Sequence, residues 1–232
     1  MEKKNTNSNK ITLDTKKITG AAIFAALAFV VTMATRWIKI AGFLSLDFKD
    51  AIITIASFVY GPLISVLITV VVAGVEFIFS ETGWYGLVMN IVSSTTFALV
   101  ASFIYTRKRN INYALIGLFS AVFVTVPVML LMNRFVTPYY LLQTGIAPSL
   151  NVGIEMTKSL IPVAIFPFNV AKTLMNSAII MLLYKPIAMA LRSAKLIKGE
   201  SGRLTFNKTS LMITVISSVL LISAIIIFVV IN

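Results

Sequence analysis

The chain has 232 residues, of which 58% are hydrophobic and 12% charged; soluble domains carry roughly 25% charged residues. Cysteine and histidine are both absent, which excludes a disulfide framework, thiolate or imidazole metal sites, a cysteine nucleophile and any Ser–His catalytic pair. The net charge of +12 suits cytoplasmic loops and anionic headgroups. No soluble segment is long enough to build a nucleic-acid-binding surface.

In chain order, residues 1–17 are polar and lack the layout of a cleavable signal peptide. The first apolar segment runs from Ile18 to Thr35. A second and third share the run 51–79, broken at Tyr60-Gly61-Pro62, where proline cannot continue a helix and a tight turn is expected. The fourth, 86–104, contains no charge. The fifth spans Tyr113 to Met132. The sixth, in FPFNVAKTLMNSAIIMLLYKP, follows Pro162 and Pro167 and ends near Lys185-Pro186. The seventh, 211–231, is again free of charge. Each uncharged run approaches the ~20 residues that cross the hydrocarbon as a helix. The fold class is all-α: a polytopic membrane bundle of six helices with a seventh at the C-terminal end. The expected units are a polar cytoplasmic tail (1–17), a six-helix membrane domain (18–190), a basic linker (191–209) and the additional helix (210–232).

Fourteen lysines and arginines fall on one side of this topology, in residues 1–17, 107–109 and 185–208; five fall on the other. The positive-inside rule then puts the N-terminus in the cytoplasm and, with seven spans, Asn232 outside. Ionisable residues inside a span are costly and usually face a cavity with a partner. Glu76, near the outer end of the third span, and Lys172, in the sixth, are the two expected here. Asn133 and Asn169 reach a similar depth. One reading is a Glu76–Lys172 ion pair with asparagines as interhelical glue. The set of four reads better as a small-molecule pocket, in which amides and an ammonium grip one flat polar ligand. The loop FLSLDFKD (43–50) is either a wet loop whose Asp50 caps the next helix, or a lid carrying Leu46 and Phe48. Ala21, Ala22, Ala25 and Ala26 form two small-xxx-small pairs, which by themselves mean only that alanine is common in membrane helices. No GxxxxGK[ST] or HExxH motif is present, so catalytic and metal residues are expected to be none. Solute movement here needs an external energy source or proceeds by facilitation.

Together, LSLDFKDAIITIASFVYGPLISVLI and FPFNVAKTLMNSAIIMLLYKP resemble riboflavin-specific (RibU-type) S components of energy-coupling factor (ECF) vitamin transporters, over roughly residues 18–190. The resemblance implies a non-enzymatic, multi-pass subunit of a bacterial plasma membrane. Such a subunit binds riboflavin as its cargo, without a cofactor. It works with a transmembrane coupling protein and two cytoplasmic ATPases. By position, Asn133, Asn169 and Lys172 correspond to flavin-binding residues, with Glu76 beside them. Leu46, Asp47 and Phe48 correspond to the loop that closes over the ligand. Ala21 or Ala22, with Ala25 or Ala26, correspond to the motif that docks on the coupling protein. The alternatives are an S component for thiamin, biotin or folate, or a stand-alone facilitator. The seventh segment departs from the six-helix family pattern.

Overall fold

The computed structural model describes residues 15–40, 43–194 and 208–231. Most of the expected N-terminal tail and basic linker lies outside them. Eight helices follow one another: α1 (Thr15–Thr35), α2 (Lys49–Tyr60), α3 (Pro62–Phe77), α4 (Gly83–Tyr105), α5 (Ile111–Gln143), α6 (Leu150–Leu160), α7 (Phe166–Ser193) and α8 (Lys208–Ile231). The only strands among the described residues are β1 (Lys39–Ile40) and β2 (Leu44–Ser45), an antiparallel pair between α1 and α2. Leu46 N–H donates to the Ile38 carbonyl at 2.8 Å and prolongs this hairpin.

The turn between α2 and α3 forms as the sequence predicts. Gly61 adopts φ 105°, a conformation that favours glycine, and Pro62 opens α3, where its missing N–H costs nothing. α2 has 12 residues and spans about 18 Å at 1.5 Å per residue, well short of the membrane core. It is buried from Lys49 to Phe58, surrounded by α1, α3, α4 and α7. Its N-terminus therefore ends inside the bilayer's thickness, and the segment that feeds it dips in as well.

The expected outer loop 133–159 is largely helical instead. α5 runs on through Asn133 to Gln143 with Pro127 and Pro138 inside it. α6 joins α7 through a π-helical turn, Ile161–Ile165, which contains Pro162. The wider turn accommodates Pro162, whose missing N–H interrupts the helical hydrogen-bond ladder. The helix thus starts at Leu150, before the two prolines rather than after them.

α4 and α5 pack closely where Gly117 faces the Ala101 carbonyl; a Cβ on Gly117 would sit 2.5 Å from that oxygen. The main core joins Phe24 and Ala28 of α1, most of α2, and Phe97, Ala101, Leu118 and Ile180. A smaller apolar cluster, Leu44, Leu46, Ile165 and Phe168, lies at the hairpin end. α8 is no loose appendage. It packs along α7, with Ile213, Ile216 and Leu220 against the main core and Phe228 against the hairpin-end cluster. Large apolar side chains such as Val30, Leu67, Phe119, Leu131 and Val215 are exposed around the bundle, as a lipid-facing surface requires.

Candidate functional site

A cavity of about 180 Å³ opens at the hairpin end, between α1, α3, α4, α5 and α7. One water needs only ~15 Å³ on this measure, so the space suits a larger ligand. Asn133, Asn169, Lys172, Glu76 and Asp47 all line it. Residues from α3, α5, α7 and the hairpin loop, up to 125 positions apart, thus meet at one place. Each is less than 9% exposed.

Asn133 of α5 and Asn169 and Lys172 of α7 bring donors to the cavity. Asn133 Nδ2 donates to the Met129 carbonyl at 2.7 Å, and Asn169 Nδ2 to the Ile165 carbonyl at 2.7 Å. Each bond runs one turn back along the residue's own helix and uses one of the two amide hydrogens. Thr137 donates to Asn133 Oδ1 at 2.9 Å, which fixes the amide's orientation. Lys172 Nζ stands 3.3 Å from Asp47 Oδ2 and 3.4 Å from Asp50 Oδ2.

Glu76 and Asp47 bring carboxylates to the same cavity. Glu76 Oε2 pairs with Lys49 Nζ at 2.7 Å and accepts from Asn90 Nδ2 at 3.3 Å. The Glu76–Lys172 ion pair weighed above does not form, because α2 places Lys49 between them. Lys49 also reaches Asp47 Oδ2 at 3.5 Å. Glu76 Oε1 and Asp47 Oδ1 are buried without a hydrogen-bond partner among the described residues.

Two buried charges, Lys49 at 1% exposure and Asp50 at 3%, are absent from the sequence-based site, which read them as loop residues. Asp50 is not the cap of α2: Phe48 holds that position. One residue inside the helix, the Asp50 carboxylate turns inward to accept from Ser94 and to face Lys172. Lys49 lines the cavity. The only available signal was the shortness of α2, which sinks its first turn into the membrane. Asn176, on the same face as Lys172, serves the backbone instead. Its Oδ1 accepts from Ala51 N–H at 2.9 Å, and its Nδ2 donates to the Asp47 carbonyl at 3.3 Å. It pins α7 to the start of α2.

Leu46 and Phe48 do not line the cavity. Leu46 belongs to the apolar cluster behind its wall, and Phe48 packs on that cluster. Phe43 and Leu44 face the cavity in their place, while Leu46 is taken up by packing with Ile165 and Phe168. At the mouth, Lys39 Nζ meets Glu81 at 2.5 Å, and Arg36 donates to the Phe79 carbonyl at 2.6 Å. These two contacts join the hairpin side to the α3–α4 turn. The Lys39 hydrogen bond and charge hold the Glu81 carboxyl below its ordinary pKa. On α1, Ala21 is buried and Ala25 packs on the core, whereas Ala22 and Ala26 are exposed.

Residues 16–184 match the family described as "ECF transporter, substrate-specific component". The riboflavin transporter RibU of Staphylococcus aureus (strain TCH60) is 30% identical over 179 residues, covering 76% of this chain and 93% of that protein. A solved structure, reported as "Structure and mechanism of the S component of a bacterial ECF transporter", shares the fold with a TM-score of 0.62 and 28% identity. It covers 76% of this chain and 98% of that one. The matched region contains α1 to α5 and the cavity-lining part of α7, and it excludes α8. This chain belongs to the substrate-specific components of ECF transporters: it is a multi-pass membrane transporter subunit and not an enzyme.

Proposed function

We propose that this chain captures riboflavin in the cavity at the hairpin end and delivers it through an ATP-driven ECF module. The observation that carries the reading is the meeting of Asn133, Asn169 and Lys172 in one cavity, in a chain 30% identical to a riboflavin transporter. The ring edge, with its alternating carbonyls and nitrogens, takes hydrogen bonds from the two amides and the ammonium. The hydroxylated side chain turns toward Asp47 and Glu76, whose free carboxylate oxygens accept from its O–H groups. Phe43, Leu44 and Phe168 supply apolar contact to the ring. Riboflavin is cargo here, and no cofactor enters the proposal.

The cavity end faces outward. Arg107, Lys108, Arg109, Lys185 and Arg192 sit at the opposite end of the helices, so the positive-inside rule supports a cytoplasmic N-terminus. The exposed pair Ala22 and Ala26 lets a helix of the transmembrane coupling protein approach α1 closely. Two cytoplasmic ATPases then drive the rearrangement that opens the cavity inward. Residues 18–190 act as the binding domain in this scheme, and 210–232 as an added span.

The test is direct. Protein purified in detergent from riboflavin-supplied cells is expected to carry the flavin absorption spectrum. Lys172→Ala and Asn169→Ala are each expected to weaken riboflavin binding by about 10- to 100-fold. Each change leaves buried ligand groups unpaired, at ~1–3 kcal/mol apiece. Wild-type affinity in both variants overturns the site. A wild-type chain that prefers thiamin, biotin or folate overturns the cargo.

A further inference from the structure

Helix α8 lies outside the region matched to the family, yet it is docked with a regular inward stripe. Ile213, Ile216, Ser217, Leu220, Ala224 and Phe228 recur at three- and four-residue spacing, and Ser217 and Ala224 are both 0% exposed. Small residues at those positions let α8 lie close along α7. The first half of the stripe meets the main core. At the other end Phe228 packs on the cluster of Leu44, Leu46, Ile165 and Phe168.

That cluster is the back of the cavity wall. Leu44 and Phe168 present one side to the cavity and the other to the cluster. Ile165, fully buried, offers the carbonyl that holds Asn169 Nδ2 at 2.7 Å. Leu46 directly precedes Asp47, the partner of Lys172. The backbone here is weak on its own account. Pro162 has no N–H to donate, and the turn Ile161–Ile165 is π-helical, with Phe166 N–H bonding back to the Ile161 carbonyl. Its geometry must be fixed by packing from outside.

We propose that α8 braces the binding cavity, with Phe228 as a positioning residue that holds the π-helical turn, and through it Asn169 and Phe168, in binding geometry. The inference rests on reading the cavity as the riboflavin site. Loosening the wall lets a bound ligand escape faster while leaving the mouth, and so the association rate, unchanged.

The experiment compares full-length wild type with Phe228→Ala, Phe228→Leu and Val229→Ala, the last at a position 67% exposed and outside the inward stripe of α8. Riboflavin association and dissociation are followed by flavin fluorescence, normalised to active sites. Phe228→Ala is expected to dissociate about fivefold faster or more, with association within about twofold of wild type, since wall contacts act mainly on the off-rate. Phe228→Leu is expected to restore the rate to within about twofold, and Val229→Ala to leave it unchanged. A Phe228→Ala protein whose surviving sites release riboflavin at the wild-type rate overturns the brace, as does failure of leucine to restore the rate. Amide hydrogen exchange over 161–169 is the ligand-free readout. It is expected to quicken about tenfold in Phe228→Ala and not in Val229→Ala, and unchanged exchange overturns the brace. A wild type that binds no riboflavin refutes the cargo reading alone, and the brace is then decided by exchange.

Discussion

Lys49 is only 1% exposed, yet it ends 2.7 Å from Glu76 and 3.5 Å from Asp47. It belongs to a buried set of three carboxylates and two ammoniums completed by Asp50 and Lys172. Such groups are tolerated at membrane depth only when each meets an opposite charge. Removing one ammonium leaves a carboxylate stranded. Lys49→Met is therefore expected to destabilise the fold by about 3–5 kcal/mol, read as a lower thermal midpoint in detergent. Glu76→Gln in the same chain is expected to restore part of the loss, because the stranded charge is then gone. Equal midpoints for wild type and Lys49→Met would refute the pairing. In the sequence Lys49 reads as one more outer-loop cation, since nothing local distinguishes it from Arg36 or Lys39.

The elements show how tertiary contacts override local breakers. Pro127 and Pro138 lie within α5, and Pro162 within the π-helical turn, where the surrounding helices and the wider turn absorb the missing donors. Starting the sixth segment after Pro162 and Pro167 leaves out α6, which precedes both prolines. Glycine works the other way. Gly117 looks like a routine interruption of the fifth apolar segment, yet it marks the closest approach of α5 to the α4 backbone. Backbone cannot move aside as a side chain tip can. Gly117→Val is expected to cost about 1–3 kcal/mol through overpacking, measured as a fall in thermal midpoint. Gly74→Val is expected to be nearly silent, because nothing lies near its missing Cβ.

Across the whole molecule, the cavity and the exposed basic cluster lie at opposite ends. The cavity-lining residues gather at the hairpin end, while Arg107, Lys108 and Arg109 follow the far end of α4 and Arg192 lies in the last turn of α7. α1 bridges the two ends and exposes Ala22 and Ala26 along its outer face. If that face docks the coupling protein, enlarging it should uncouple transport from binding. Ala22→Leu with Ala26→Leu is expected to keep riboflavin affinity within about twofold. The same pair should abolish uptake in cells that supply the ECF module, because bulky side chains hold two membrane helices apart. Normal uptake by the double variant would refute this docking face.

By itself the sequence determined the membrane as solvent, the places of the apolar segments and the Gly61-Pro62 turn. These follow from hydrophobic run lengths and backbone stereochemistry, which are local or additive along the chain. The partners were decided only in three dimensions. Whether Lys172 pairs with Glu76 or with Asp47 and Asp50 depends on where the short α2 begins. Whether Leu46 or Leu44 faces the cavity depends on how the segment 43–48 packs against Ile165 and Phe168. Which alanine pair of α1 stays free depends on how that helix is rotated against α2 and α3. Each is a choice among side chains a few ångströms apart, made by packing between segments distant in sequence, and no run of neighbouring residues carries that information.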